Sequence, residues 1–305
     1  MKTTTYVPVT ERRDAIGVRE ALSGHSPWEL AKDSFLRYRY ADGFSFARAM
    51  AFQMVLALIP GMIFVVGLAV RVGEGRLRTL LREAITSLAP GPAGQTFLIA
   101  FEQGSEAGRG NTVAIVLGGG AAVVAAVSAI AQLQRGGSRI YGVLGDRSTL
   151  RRYGLATALT LTVGLLLTGS FLLIALGPTV GGAFRDDVIE NWVWARWPLG
   201  IVVLTVALTV MFKLAPNRPQ PPNRWLMPGL GVAAAGCLLV STGLSAYLNA
   251  SVSFGETYGP LAGILGVMLW SFLASIAIFY GLAVSAQLEA LSAGVTDPVA
   301  EPERP

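Results

Sequence analysis

An all-α bundle embedded in a membrane is the fold class this chain predicts, with about six transmembrane helices and short interfacial amphipathic helices. Three observations predict it. The stretch from Thr257 to Leu288 runs for 32 residues without Asp, Glu, Lys, Arg or His, whereas a helix crosses a bilayer core in about 20 apolar residues. The 305-residue chain is 52% hydrophobic and only 14% charged, against about 25% charged in a soluble domain. Its apolar segments are long and unbroken, not the segments of about ten residues with alternating polarity that a membrane β-barrel requires.

Charges punctuate the sequence and delimit the spans. Uncharged runs occupy 49–70, 110–134, 153–184, 225–255 and 257–288, and a shorter one occupies 197–212. The short run reaches spanning length if Trp192 and Trp194 sit in the interface and Arg196 snorkels. Ahead of the first span, Ser26-Pro27 reads as a helix start, with Ser26 as cap and Pro27 in the first turn. Trp28 to Tyr40 then reads as a basic amphipathic helix. Two settings fit it equally: the membrane surface, or the protein's own loops. Between the first two spans, Leu77, Leu80, Leu81, Ala84, Ile85 and Leu88 recur at helical spacing. Pro90-Gly91-Pro92 ends that helix, and a second short helix is expected over Ala93 to Phe101.

Counting Lys and Arg sets the orientation. With the N-terminus inside, inner segments hold 17 and outer segments 7, so both termini are expected in the cytoplasm. The expected organisation is a cytoplasmic segment 1–46, a transmembrane domain 47–290 and a disordered tail 291–305. Residues 1–46 lack the apolar region of a signal peptide. The one cysteine, Cys237, permits no intrachain disulfide. Gly255, Gly259 and Gly263 recur at every fourth position, a spacing that lets helices approach closely. Gly118-Gly119-Gly120 and Gly164 with Thr168 offer similar surfaces, and the first of these is also a candidate hinge.

Four segments carry a resemblance. Ala51 to Pro60 (AFQMVLALIP), Ser138 to Val143 (SRIYGV), Phe212 to Asn217 (FKLAPN), and Tyr258-Gly259-Pro260-Leu261 with Leu269-Trp270 stand in this order along the chain. In order and spacing they resemble the YihY/BrkB family of bacterial inner-membrane proteins. The resemblance implies structural roles for Pro60, Pro216, Asn217, Tyr258, Gly259, Trp270 and Gly281. It also implies a part in envelope integrity, with lipid transport suggested for some members and an old ribonuclease label on others. The family's usual G-A-E near the end of the last span reads Gly281, Leu282, Ala283 here. The carboxylate is therefore missing at Ala283, and Gln287, one turn later on the same face, is a candidate stand-in.

The residues themselves offer little catalytic chemistry. Metal-assisted or acid–base hydrolysis needs clustered carboxylates or paired histidines. The chain has one histidine, His25, and its one acid cluster is Asp186-Asp187 with Glu190 on an expected outer loop. No enzymatic turnover, metal, cofactor or nucleic-acid partner is expected. The intramembrane polar candidates are Gln53, Gln132 and Gln287. Interhelical hydrogen bonding accounts for most such residues, and Gln53 is singled out because Pro60 frees a carbonyl near Leu56. The segment Arg135 to Arg152 holds five arginines and one acid. Arg135, Arg139, Arg147, Arg151 and Arg152, with Tyr141 and Lys213, are candidates for binding anionic lipid head groups; the same arginines also read as a topology signal. In that scheme Lys213 also satisfies carbonyls left where Pro216 stops a helix. Three functions follow: lipid handling, a scaffold for protein partners or a second copy, and, remotely, a ribonuclease.

Overall fold

The computed structural model describes residues 6–8, 26–71, 82, 92–110, 112–143, 145–181, 186–220, 223–250 and 261–295. Among these every regular element is helical: α1 Pro27–Tyr40, α2 Gly43–Arg71, α3 Pro92–Gly110, α4 Thr112–Ile140, α5 Thr149–Gly181, α6 Asp186–Leu214, α7 Asn223–Ala250 and α8 Leu261–Ser292. Among the described residues, four segments are long and apolar enough to cross a membrane, within α2, α4, α7 and α8, and a shorter apolar one runs from Pro198 to Leu214 in α6. The protein is an all-α membrane bundle.

Each long helix matches one uncharged run but slides past its charged borders. Arg48 lies inside α2, Arg135 and Arg139 inside the end of α4, and Arg151 and Arg152 inside the start of α5. Long arginine stems extend along apolar surface while their heads stay polar, so a charge does not have to end a helix. The arginine-rich connection is accordingly only 141–148. Prolines do not break the helices either: Pro60, Pro198 and Pro228 sit within α2, α6 and α7.

The last helix organises the rest. α8 packs on α7, α2 and α1, and every residue from Gly281 to Ser292 is buried. It runs antiparallel to α2, with Phe279 against Phe46 (ring centroids 6.4 Å apart) and the Ser275 hydroxyl 3.7 Å from Met54 Sδ. Against α7 the contact is backbone on backbone: a Cβ on Gly281 would lie 2.5 Å from the Gly229 carbonyl oxygen. Helices packed without a hydrophobic drive from water gain from such close approach. After α8, Gly294, with a φ of 76°, closes a cap in which the Val295 amide donates to the Ala290 carbonyl at 2.9 Å. A left-handed glycine in that place is the usual way to satisfy the final carbonyls.

Several expectations change here. α1 begins as read, with Ser26 capping, Pro27 in the first turn and Glu29 reaching back to the Ser26 amide at 2.9 Å. Its inner face packs on α8, not on loops: the Tyr280 hydroxyl donates to the Ala31 carbonyl at 3.0 Å. Its outer face still presents Trp28, Phe35 and Tyr40. The second connecting helix is longer than expected, Pro92–Gly110. Gly118-Gly119-Gly120 lies inside an unbroken α4, where a Cβ on Gly119 would meet the Phe64 ring at 2.6 Å. Gly164 has nothing within 4 Å of where its Cβ would stand. The apolar series Leu77 to Leu88, the glycines 255 and 259, and Tyr258 lie outside the described residues.

Candidate functional site

Among the described residues, a large buried polar cluster lies at one end of the bundle, where α4, α6 and α8 finish and α1 crosses. Helical spacing on α1 buries Ser34, Arg37, Tyr38 and Ala41 together, so an arginine occupies a core position. Arg37 Nε donates to Gln287 Oε1 at 2.9 Å, and Nη1 donates to the Ile140 carbonyl at 3.4 Å. Burial lowers its pKa to about 10, while Tyr141, Asp33 and Glu289 pull the other way. Beside it, Arg218 and Glu289 form an ion pair at 2.5 Å with side chains 5% and 0% exposed. The Arg218 guanidinium also stacks 4.8 Å above the Tyr141 ring. Tyr141 is fully enclosed, and burial, then Glu289, raise its pKa against the pull of Arg218 and Arg37.

The same arginine holds the start of the chain. Arg218 donates to the carbonyls of Val7 (3.0 Å) and Pro8 (3.4 Å), and the Val7 amide donates to the Tyr141 carbonyl at 3.3 Å. Val7 itself is buried in the core. Val7 and Pro8 are therefore laid across the ends of helices more than a hundred residues away.

A second layer ties the 141–148 connection to the turn after α6. Arg147 donates to the carbonyls of Leu214 (3.2 Å), Ala215 (2.8 Å) and Pro216 (2.9 Å), and to Gln134 Oε1 (3.1 Å). A cation here faces the negative end of α6 and satisfies its last carbonyls. The sequence reading assigned those carbonyls to Lys213; the planar five-donor fork of arginine suits several of them at once. The Asn217 amide donates to Ser138 Oγ at 3.0 Å and its side chain to the Gly145 carbonyl at 3.3 Å. Asp146 lies between Arg135 (3.7 Å) and Arg152 (3.5 Å). These groups enclose a niche of about 10 Å3, room for about one water.

The seven head-group candidates thus divide. Tyr141 is sealed beneath Arg218, Arg147 is engaged with carbonyls, and the Arg152 side chain is 9% exposed beside Asp146. None of these three offers a free face to a lipid. Arg135 (side chain 40% exposed), Arg139, Arg151 and Lys213 reach the surface around them. Gln287 is the acceptor for Arg37. The carboxylate of the last helix appears at Glu289, which the charge-delimited reading had left as the border of the span. Gln53 and Gln132 are half-buried on α2 and α4. Trp270 donates to Ser241 Oγ at 3.1 Å, bridging α8 and α7. Among the described residues no three His, Cys, Asp or Glu converge on a point.

Comparison with known proteins places this architecture. The sequence profile of a family described as virulence factor BrkB matches residues 34–304. The chain belongs to the BrkB family. Its relatives include the ribonuclease-like protein YfkH of Bacillus subtilis (strain 168), 26% identical over 263 residues, which cover 84% of this chain and 94% of that protein. A UPF0761 membrane protein of Stenotrophomonas maltophilia (strain R551-3) is 26% identical over 84% of this chain and 60% of its own length. One from Verminephrobacter eiseniae (strain EF01-2) is 27% identical over 90% and 67%. The chain therefore spans about three fifths of the Stenotrophomonas relative but nearly all of YfkH. No solved structure matches this chain.

Proposed function

We propose that this BrkB-family protein is a multi-pass protein of the bacterial plasma membrane that handles anionic lipid in support of envelope integrity, without enzymatic turnover. The observation that carries this reading is the cationic rim of Arg135, Arg139, Arg151 and Lys213. These side chains surround a connection tied to the turn after α6 by Arg147, Ser138 and Asn217. A rim held this way binds with little further loss of side-chain and loop freedom. It also lies at the ends of long apolar helices, where head groups lie, and cations there attract anionic lipid at about 1 kcal/mol each. The 17 to 7 asymmetry of Lys and Arg supports placing this end and both termini in the cytoplasm.

Native mass spectrometry of the full-length protein with phosphatidylglycerol tests the reading. Arg139→Ala with Lys213→Ala removes two cations that touch none of the buried pairs, so retention should fall roughly thirtyfold with the thermal transition unchanged. Unchanged retention in a folded double variant refutes the rim and leaves its arginines as a topology signal. Reporter fusions after residue 305 test the orientation separately: activity only outside the cytoplasm overturns it.

A further inference from the structure

Between α2 and α8 the bundle leaves a groove of about 430 Å3, lined by Arg48, Phe52, Val55, Met268, Leu269 and Phe272. That is the size of an ordinary small-molecule site, yet its lining is apolar except at one end. The α2 residues stand at i, i+4 and i+7, one stripe of a helix. Because the two helices are antiparallel, with Phe46 opposite Phe279 and Met54 opposite Ser275, the groove runs from Arg48 toward Met268 over roughly 15 Å. Arg48 directly precedes the uncharged run 49–70 and so sits at head-group depth. Its Nη2 donates to Ser45 Oγ at 3.2 Å, and its side chain is exposed. Among the described residues no carboxylate pairs with it.

From this we infer that the groove is a lipid site: it takes one acyl chain of an anionic phospholipid, whose phosphate is bound by Arg48. The chemistry at each end selects the occupant. A guanidinium without a carboxylate partner matches a phosphate, to which its fork offers two parallel donors. Phe52, Leu269 and Phe272 offer a flexible hydrocarbon chain nothing polar to satisfy, and Met268 adapts to its shape. None of the lining residues belongs to the cationic rim, so this site stands or falls independently of that one.

The experiment is native mass spectrometry of full-length protein with phosphatidylglycerol and, separately, phosphatidylethanolamine. Arg48→Gln should lower phosphatidylglycerol retention about fivefold and affect phosphatidylethanolamine less. Leu269→Trp or Phe52→Trp, both at exposed positions, should occlude the groove and lower retention of both lipids. Arg139→Ala should leave the Trp-sensitive lipid in place. Loss in Arg48→Gln without loss in either Trp variant would put the lipid outside the groove and overturn the assignment. So would unchanged retention in all three, or conversion of a dimer to monomer by the Trp variants, which would give the groove to a second copy.

Discussion

Removing one partner of the Arg218–Glu289 pair should be among the most damaging single changes in this protein, and the two partners should not be equivalent. Loss of one member of a buried pair typically costs about 3–5 kcal/mol, because a charge is left without compensation in a poor solvent for it. In Arg218→Met, Glu289 keeps one cation within electrostatic reach, since Arg37 feels its charge; the cost should fall near the lower end, about 3 kcal/mol. In Glu289→Gln, Arg37 and Arg218 stay buried together, Arg218 weakens the hold of Arg37 on its proton, and the acid that offset both is gone. That variant should lie near the upper end, about 5 kcal/mol. Arg218→Met with Glu289→Met removes both charges. It should recover most of the loss, leaving roughly 1–2 kcal/mol for the bonds to Val7 and Pro8. Reversible unfolding in mixed micelles, followed by circular dichroism, measures all three. Single variants within about 0.5 kcal/mol of the parent would refute the burial argument. An additive double variant would refute the pairing, and the reverse ranking would refute the role given to Arg37.

Three further outcomes are expected. Arg147→Lys replaces a fork serving four acceptors with one ammonium, and should cost about 1–3 kcal/mol in the same unfolding measurement. Gly281→Ala drives a Cβ to 2.5 Å from the Gly229 carbonyl and 2.7 Å from Ala233 Cβ; it should destabilise by about 1–3 kcal/mol. Gly231→Ala, with nothing within 4 Å, should be neutral or stabilising by up to about 1 kcal/mol. Tyr141→Phe should be nearly silent at neutral pH, because the hydroxyl makes no hydrogen bond. The folded protein holds the Tyr141 proton above the ordinary value near 10, so its contribution is complete below that pH. It is lost above it, as the unfolded chain ionises first. Tyr141→Phe should therefore lose less stability than the parent between about pH 9 and pH 11, as read from melting curves across that range.

Much of the bundle was legible because membrane helices declare themselves by what they lack. Six uncharged runs foretold six long helices, and Ser26-Pro27 foretold where α1 starts. Charge runs foretold the ends less well, since Arg48, Arg139 and Arg152 lie inside helices with their stems on apolar surface. The buried cluster was the least legible part. Arg37 and Gln287 are 250 positions apart, and Arg218 and Glu289 are 71 apart, separations that no local pattern reports. Two signals were nonetheless present. Ser34, Arg37, Tyr38 and Ala41 share one helical stripe, which puts an arginine on an inward face. Leu288 and Leu291 continue the apolar spacing of α8 past Glu289, which makes that acid part of the helix and not its border. Among the described residues, close glycine contacts lie at Gly229 with Gly281 and at Gly67 with Gly108, because helix crossing, not glycine count, decides where backbones meet.

The grip of Arg218 on Val7 has a consequence for how the chain is made. Residue 7 leaves the ribosome well before residues 141, 218 and 289, but its seat needs Tyr141, Arg218 and, to neutralise that arginine, Glu289. At about 5–20 residues per second, the seat is completed roughly 15–60 s after its occupant has emerged. Among the described residues, the first in sequence are thus placed after the last helix arrives. An N-terminal fusion that keeps Val7 from docking would be felt first at the far end of the chain, in the setting of Arg218 and Glu289.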